Sequence, residues 1–103
     1  MAYRVQFTTD ADLDLDSLHR SEQVLAQEGA KRHLRDQPDV PTRRRKPMDP
    51  NPLGVPWVLR LDEVRVYYDI DQAAQVVRVL RVGRKLRERV FIRGVETDMR
   101  EQP

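Results

Sequence analysis

Apolar and polar residues alternate from Tyr3 to Thr8, where Tyr3, Val5 and Phe7 share one side, and this period of two predicts a first, half-buried strand. Thr8, Thr9 and Asp10 then offer capping oxygens ahead of Leu13, Leu15 and Leu18. With Asp10, Asp12 and Asp14 near its positive end, a short acidic helix is expected there. A second helix is expected over about Ser21 to Arg35, where Val24, Leu25, Ala30 and Leu34 follow helical spacing and Gly29 is a weak point. Between residues 36 and 56 stand six of the seven prolines, so this stretch reads as loop. Two alternating runs follow, Trp57 to Leu61 and Val64 to Ile70, joined at Asp62 and Glu63 as an antiparallel hairpin. Gln75 to Val82 is apolar on both parities, which suits a strand in mid-sheet. Beyond Gly83, the segment from Arg84 to Ile92 reads as either a short helix or a last strand, and the polar tail from 95 to 103 as frayed.

This order predicts an α+β fold: an N-terminal strand, a two-helix hairpin, then an antiparallel meander with the helices on one face. A chain of 103 residues has room for one domain, expected to be ordered over about 3–94. The other face of the sheet should be partly open. On the strand from Val64 to Ile70 the even positions are core-like, so Arg65 and Tyr67 should point outward beside Arg60 of the neighbouring strand. Trp57 and Tyr68 fall on the core parity.

Charge sharpens that picture. Residues 1–42 carry 5 basic and 8 acidic side chains, while residues 43–103 carry 14 basic and 9 acidic. Between residues 78 and 93 seven cations stand against the single acid Glu88, a dense positive stripe for a surface. Of the 19 cations 16 are arginine, whose planar fork suits phosphate, although coding bias also enriches arginine. The loop run Arg43, Arg44, Arg45 and Lys46 would suit a phosphate backbone, or be a solvated charge run. The absence of cysteine excludes a disulfide framework and thiolate metal sites, and His19 and His33 make a poor ligand set. No cofactor or metal is therefore expected. No apolar stretch is long enough to cross a bilayer and the N-terminus lacks a signal-peptide core, so a cytoplasmic protein that makes no use of membranes is expected.

Three segments resemble a known group: Thr42 to Leu53 with its basic and proline-rich run, Trp57-Val58-Leu59-Arg60, and Val64-Arg65-Val66-Tyr67-Tyr68-Asp69-Ile70-Asp71. Together with Val82-Gly83-Arg84-Lys85 they are similar to the RelE/ParE toxin superfamily, and the order of elements agrees over about residues 3–94. The resemblance implies the toxin of a type II toxin–antitoxin pair, held inactive by a cognate antitoxin. RelE-like members cleave messenger RNA at the ribosome without a metal, and ParE-like members inhibit gyrase without cleaving anything. The first activity is the leading expectation; a gyrase inhibitor or a degenerate binding domain is the alternative. A second copy of the chain is a further partner to consider.

Cleavage of RNA needs a base for the 2′-hydroxyl proton, cations around the phosphate and an acid for the leaving oxygen. By resemblance, Arg65 holds the scissile phosphate and Lys85 is a second catalytic cation. Arg60 binds a flanking phosphate or serves a structural ion pair, while Arg43 to Lys46, Arg81, Arg84 and Arg87 contact RNA. Asp49, in the loop, or Tyr67, on the open face, moves protons, and Tyr67 alternatively stacks on a base. The chain departs from the nuclease pattern at Phe91, where some members carry a tyrosine, and at Pro56 and Val58, where some carry paired lysines. None of these three can exchange a proton. Glu63 and Glu88 read as ion-pair partners.

Overall fold

A computed structural model describes residues 2–102. Strand β1 (Arg4–Phe7) leads into helices α1 (Thr9–Asp16) and α2 (Arg20–Leu34). Thr8 caps α1 through its hydroxyl, which accepts from the Ala11 N–H at 3.2 Å, and Asp10 and Asp12 lie in the first turn. At the start of α2 the Glu22 carboxylate reaches back to the His19 N–H at 3.1 Å. The buried face of α2 is Ala26, Gly29, Ala30 and Leu34, the first three small enough to let the helix lie close on the sheet.

The sheet holds β2 (Arg45–Pro47), β3 (Trp57–Leu61), β4 (Val64–Asp71), β5 (Val76–Leu86), β6 (Arg89–Ile92) and β7 (Val95–Thr97), in that spatial order and antiparallel throughout. Strand β1 joins as a parallel neighbour of the first half of β5, on the edge that the second half gives to β6. The expected hairpin of β3 and β4 is present, turning at Asp62 with a φ of 54° and pairing Arg60 with Arg65. Register shifts between Tyr67 and Tyr68, which pair with Arg81 and Val79, so that Leu80 is the extra residue of a bulge.

One core lies between helices and sheet, where Leu15, Ala26, Ala30 and Leu34 meet Leu59, Leu61, Val66, Tyr68, Val77 and Val79. The even positions of β4 face it, as their spacing predicts. The tail reverses two expectations. Rather than fraying, it forms β7, buries Met99, and then pairs with the end of β2: Glu101 bridges Met48, and the Gln102 N–H donates to the Pro47 carbonyl. Nor is the helix-free face of the sheet open, because Met48, Val55, Val58, Tyr67, Val90, Ile92 and Met99 build a second core there. Arg84 to Ile92 resolves into a hairpin of β5 and β6, and the proline-rich stretch contributes β2. Among the described residues no helix is long and apolar enough to cross a membrane.

Candidate nucleic-acid interface

Pairing of β3 with β4 sets Arg60 against Arg65, both pointing away from the helices as their parity predicts. Arg65 is nevertheless buried, its side chain only 7% exposed. Its Nη1 donates to the carbonyls of Asp62 and Val64, and its Nε donates to Glu101 Oε2 at 3.2 Å. Across the pair, Arg60 Nε lies 3.3 Å from Glu101 Oε1, and Arg60 Nη1 donates to the Arg43 carbonyl at 3.3 Å. One carboxylate thus spans two guanidinium groups. Arg43, Arg44, Lys46, Arg60 and Arg65, with Asp62, line an open depression of about 460 Å³. A second, of about 450 Å³, is lined by Asp49, Lys85, Glu88 and Glu101. Lys46 and Arg60 line both, so the two form one basic groove along β2 and β3.

Three of the expected RNA contacts are spent elsewhere. Arg45 turns back into the fold, Nη1 donating to the His33 carbonyl at 2.9 Å and Nε to that of Val40 at 3.0 Å. Arg81 forks onto Asp14 of α1, Nε to Oδ2 at 2.7 Å and Nη2 to Oδ1 at 3.0 Å. That hydrogen bond, more than charge alone, holds the Arg81 guanidinium above its ordinary pKa. Arg84 lies 2.8 Å from Glu22 of α2. Most cations of the supposed stripe meet an acid in the fold: besides Arg81 and Arg84, Arg78 meets Asp69, Arg89 meets Glu96, and Arg93 meets Asp14 and Asp10. Among the described residues only Lys85 and Arg87 of those seven have no acidic partner.

Tyr67 is not on an open surface. It is fully buried in the second core, and its hydroxyl has no hydrogen-bond partner among the described residues. Burial raises its pKa far above 10.0; the Glu101 charge adds to this and Arg65 opposes it. Such a phenol is a poor proton carrier. Asp49 and Lys85 are half-buried and share the second depression, whereas Arg87 is exposed at the β5–β6 turn. Phe91 faces the helix side, in a shallow groove with Leu18 and Leu86, so a tyrosine there would not reach the basic groove. Val58 is buried in the second core and Pro56 is exposed. Trp57 and Tyr68 are core residues, stacked at 6.0 Å, with the Tyr68 hydroxyl donating to the Pro38 carbonyl at 2.7 Å.

Two acids that hold the arginines in place, Glu101 in the groove and Asp14 on the helix side of the sheet, escape a reading of the sequence. Glu101 stands in an unpatterned polar tail. Asp14 reads as one of several helix acids, yet it is fully buried and also accepts from the Val82 N–H at 3.0 Å and Arg93 Nε at 2.9 Å. Only its place on the Leu15 side of α1 signals burial.

No family model matches the chain, and no curated protein does. Solved structures do. The chain is similar to one in the RelBE2 toxin–antitoxin complex of Mycobacterium tuberculosis, at 30% identity and a TM-score of 0.70, over 82% of this chain and 93% of that one. It shares its fold with a chain of the archaeal RelE–RelB complex of Pyrococcus horikoshii, at 22% identity and a TM-score of 0.62, over 84% of this chain and 99% of that one. The likeness over nearly the whole of the mycobacterial relative, carried on the same strand, two helices and antiparallel sheet, places this chain in the RelE toxin family.

Proposed function

We propose that this toxin, a single domain over residues 1–103, cleaves messenger RNA on the ribosome and is restrained by a cognate antitoxin of the kind seen in the RelBE complexes. The observation that carries the reading is the basic groove, where Arg43, Arg44, Lys46 and Arg60 surround the nearly buried Arg65. A guanidinium fixed by two backbone carbonyls is preorganised for an oxyanion, and such donors act most strongly where charge develops in the transition state. Arg65 and Arg60 bind the scissile phosphate, and Arg43, Arg44 and Lys46 track the flanking backbone. In the adjoining depression the Asp49 carboxylate takes the 2′-hydroxyl proton as the 2′-oxygen attacks phosphorus. Lys85 gives a proton to the 5′-oxygen as the P–O5′ bond breaks, leaving a 2′,3′-cyclic phosphate.

A non-enzymatic toxin is the second reading, favoured by the absence of any proton carrier at Phe91, Pro56 and Val58 and by the burial of Tyr67. Induced expression in a bacterial host, with messenger RNA 5′ ends mapped within minutes, separates the two. The nuclease gives new ends inside translated regions. Lys85→Ala, at a half-exposed position that belongs to neither core, should reduce them by about 100-fold or more, the scale of general-acid assistance. Growth arrest with intact messages would refute cleavage and direct the search to a protein target such as gyrase.

A further inference from the structure

The groove is already occupied by an anion that belongs to the chain itself. Glu101 places one carboxylate oxygen 3.3 Å from Arg60 Nε and the other 3.2 Å from Arg65 Nε, the arrangement in which two arginines would share the non-bridging oxygens of a phosphate. We propose that residues 98–102 form a removable strap whose Glu101 carboxylate holds the phosphate position, so that RNA enters only when the strap lifts; this rests on the nuclease reading of the groove.

Three further observations support a strap rather than a fixed strand. Apart from the two Glu101 ion pairs, which a phosphate would replace, its attachment is light: Asp49 N–H to the Arg100 carbonyl at 3.1 Å, Gln102 N–H to the Pro47 carbonyl at 3.1 Å, and the buried Met99 side chain. Among the described residues the side chains of Asp98 and Arg100 pair only with each other, at 3.3 Å and largely in solvent, so these side chains do not anchor the segment. The Tyr67 hydroxyl, in the same second core as Met99, is buried with no hydrogen-bond partner among the described residues, a penalty relieved once water or a ribose hydroxyl reaches it. A phosphate diester can replace the carboxylate charge for charge, and flanking phosphates gain Arg43, Arg44 and Lys46 in addition. A segment with so few buried contacts belongs to the easily opened end of a protein's stability range.

The test uses the full chain and a short fluorescein-labelled single-stranded RNA, with anisotropy measured over a series of salt concentrations. Glu101→Gln keeps the shape of the strap and removes the competing charge. It should bind about tenfold more tightly, with a salt dependence steeper by about one unit as the freed arginines engage phosphate. In the unmodified protein, saturating RNA should increase hydrogen exchange at the amides of Asp49 and Gln102, a readout independent of whether the variant folds. Arg44→Ala serves as the control on the groove itself. If Arg44→Ala weakens binding while Glu101→Gln leaves it unchanged and the two amides stay protected, the strap is refuted and the groove stands. If Arg44→Ala also has no effect, the groove does not bind RNA and both readings fall.

Discussion

Asp14 and Tyr67 are buried on opposite sides of one sheet and solve the polar-burial problem in opposite ways. Asp14 loses all contact with water but regains it as four hydrogen bonds from Arg81, Val82 and Arg93, so its charge is matched and α1 is tied to β5. Tyr67 fills the second core with its ring and leaves its hydroxyl without a partner among the described residues. An unpaired buried hydroxyl costs about 1–3 kcal/mol, so Tyr67→Phe should be more stable than the parent, by about 1 kcal/mol after relaxation. Urea unfolding measures this as a higher midpoint with an unchanged slope. If Tyr67 has no part in proton transfer, the same variant should lose no more cleavage than the roughly fivefold that a strap held about 1 kcal/mol more tightly accounts for, and a far larger loss in a stable Tyr67→Phe protein would restore the phenol to the mechanism.

At the scale of elements, legibility followed length and regular alternation. Strands β3 and β4 and the turn between them could be read because Trp57, Leu59, Leu61, Val64, Val66, Tyr68 and Ile70 keep a period of two toward one core. The three-residue strands β2 and β7 could not, since Arg-Lys-Pro and Val-Glu-Thr carry too few positions to show a period. Arg65 was legible in its direction but not in its burial: alternation says which face a side chain takes, not what later segment covers that face. The positive stripe was misread for a related reason. Its acids, Asp14 and Glu22, stand more than sixty residues earlier in the chain and meet Arg81 and Arg84 only when the helices pack. Gly83, read only as a feature of the resemblance, has a packing role. A Cβ there would lie 2.9 Å from both the Phe91 carbonyl oxygen and Ile92 Cγ1, and the backbone of β6 cannot yield as a side chain would. Gly83→Ala should therefore cost about 1–3 kcal/mol, the usual penalty of overpacking. Because β6 carries Val90 and Ile92 into the second core, the loss should appear first as faster amide exchange in β6 and β7.

Over the whole molecule the acidic first half and basic second half do not form separate poles; they interlock. Asp10, Asp14 and Glu22 of the helices neutralise Arg93, Arg81 and Arg84, whereas Arg43, Arg44 and Lys46, which line the groove, meet no acid among the described residues. His33 stands at the joint between these regions, at the end of α2, its carbonyl accepting from Arg45. Partial burial, and then the charges of Arg44, Arg32 and Arg45, lower its pKa below the ordinary 6.5. The unfolded chain therefore takes up this proton at a higher pH than the folded one. Stability linked to His33 is complete above the unfolded value of 6.5 and is lost as the pH falls from there through the lower folded value. Unfolding in urea should show the parent losing stability as the pH falls below about 6.5, with His33→Gln losing measurably less. Equal losses in the two proteins would assign the acid sensitivity to the carboxylates that bind the helices to the sheet. Where the histidine does account for it, a proton gained at His33 adds positive charge beside Arg44, so the same acidification that loosens the fold strengthens the field that draws a polyanion to the groove.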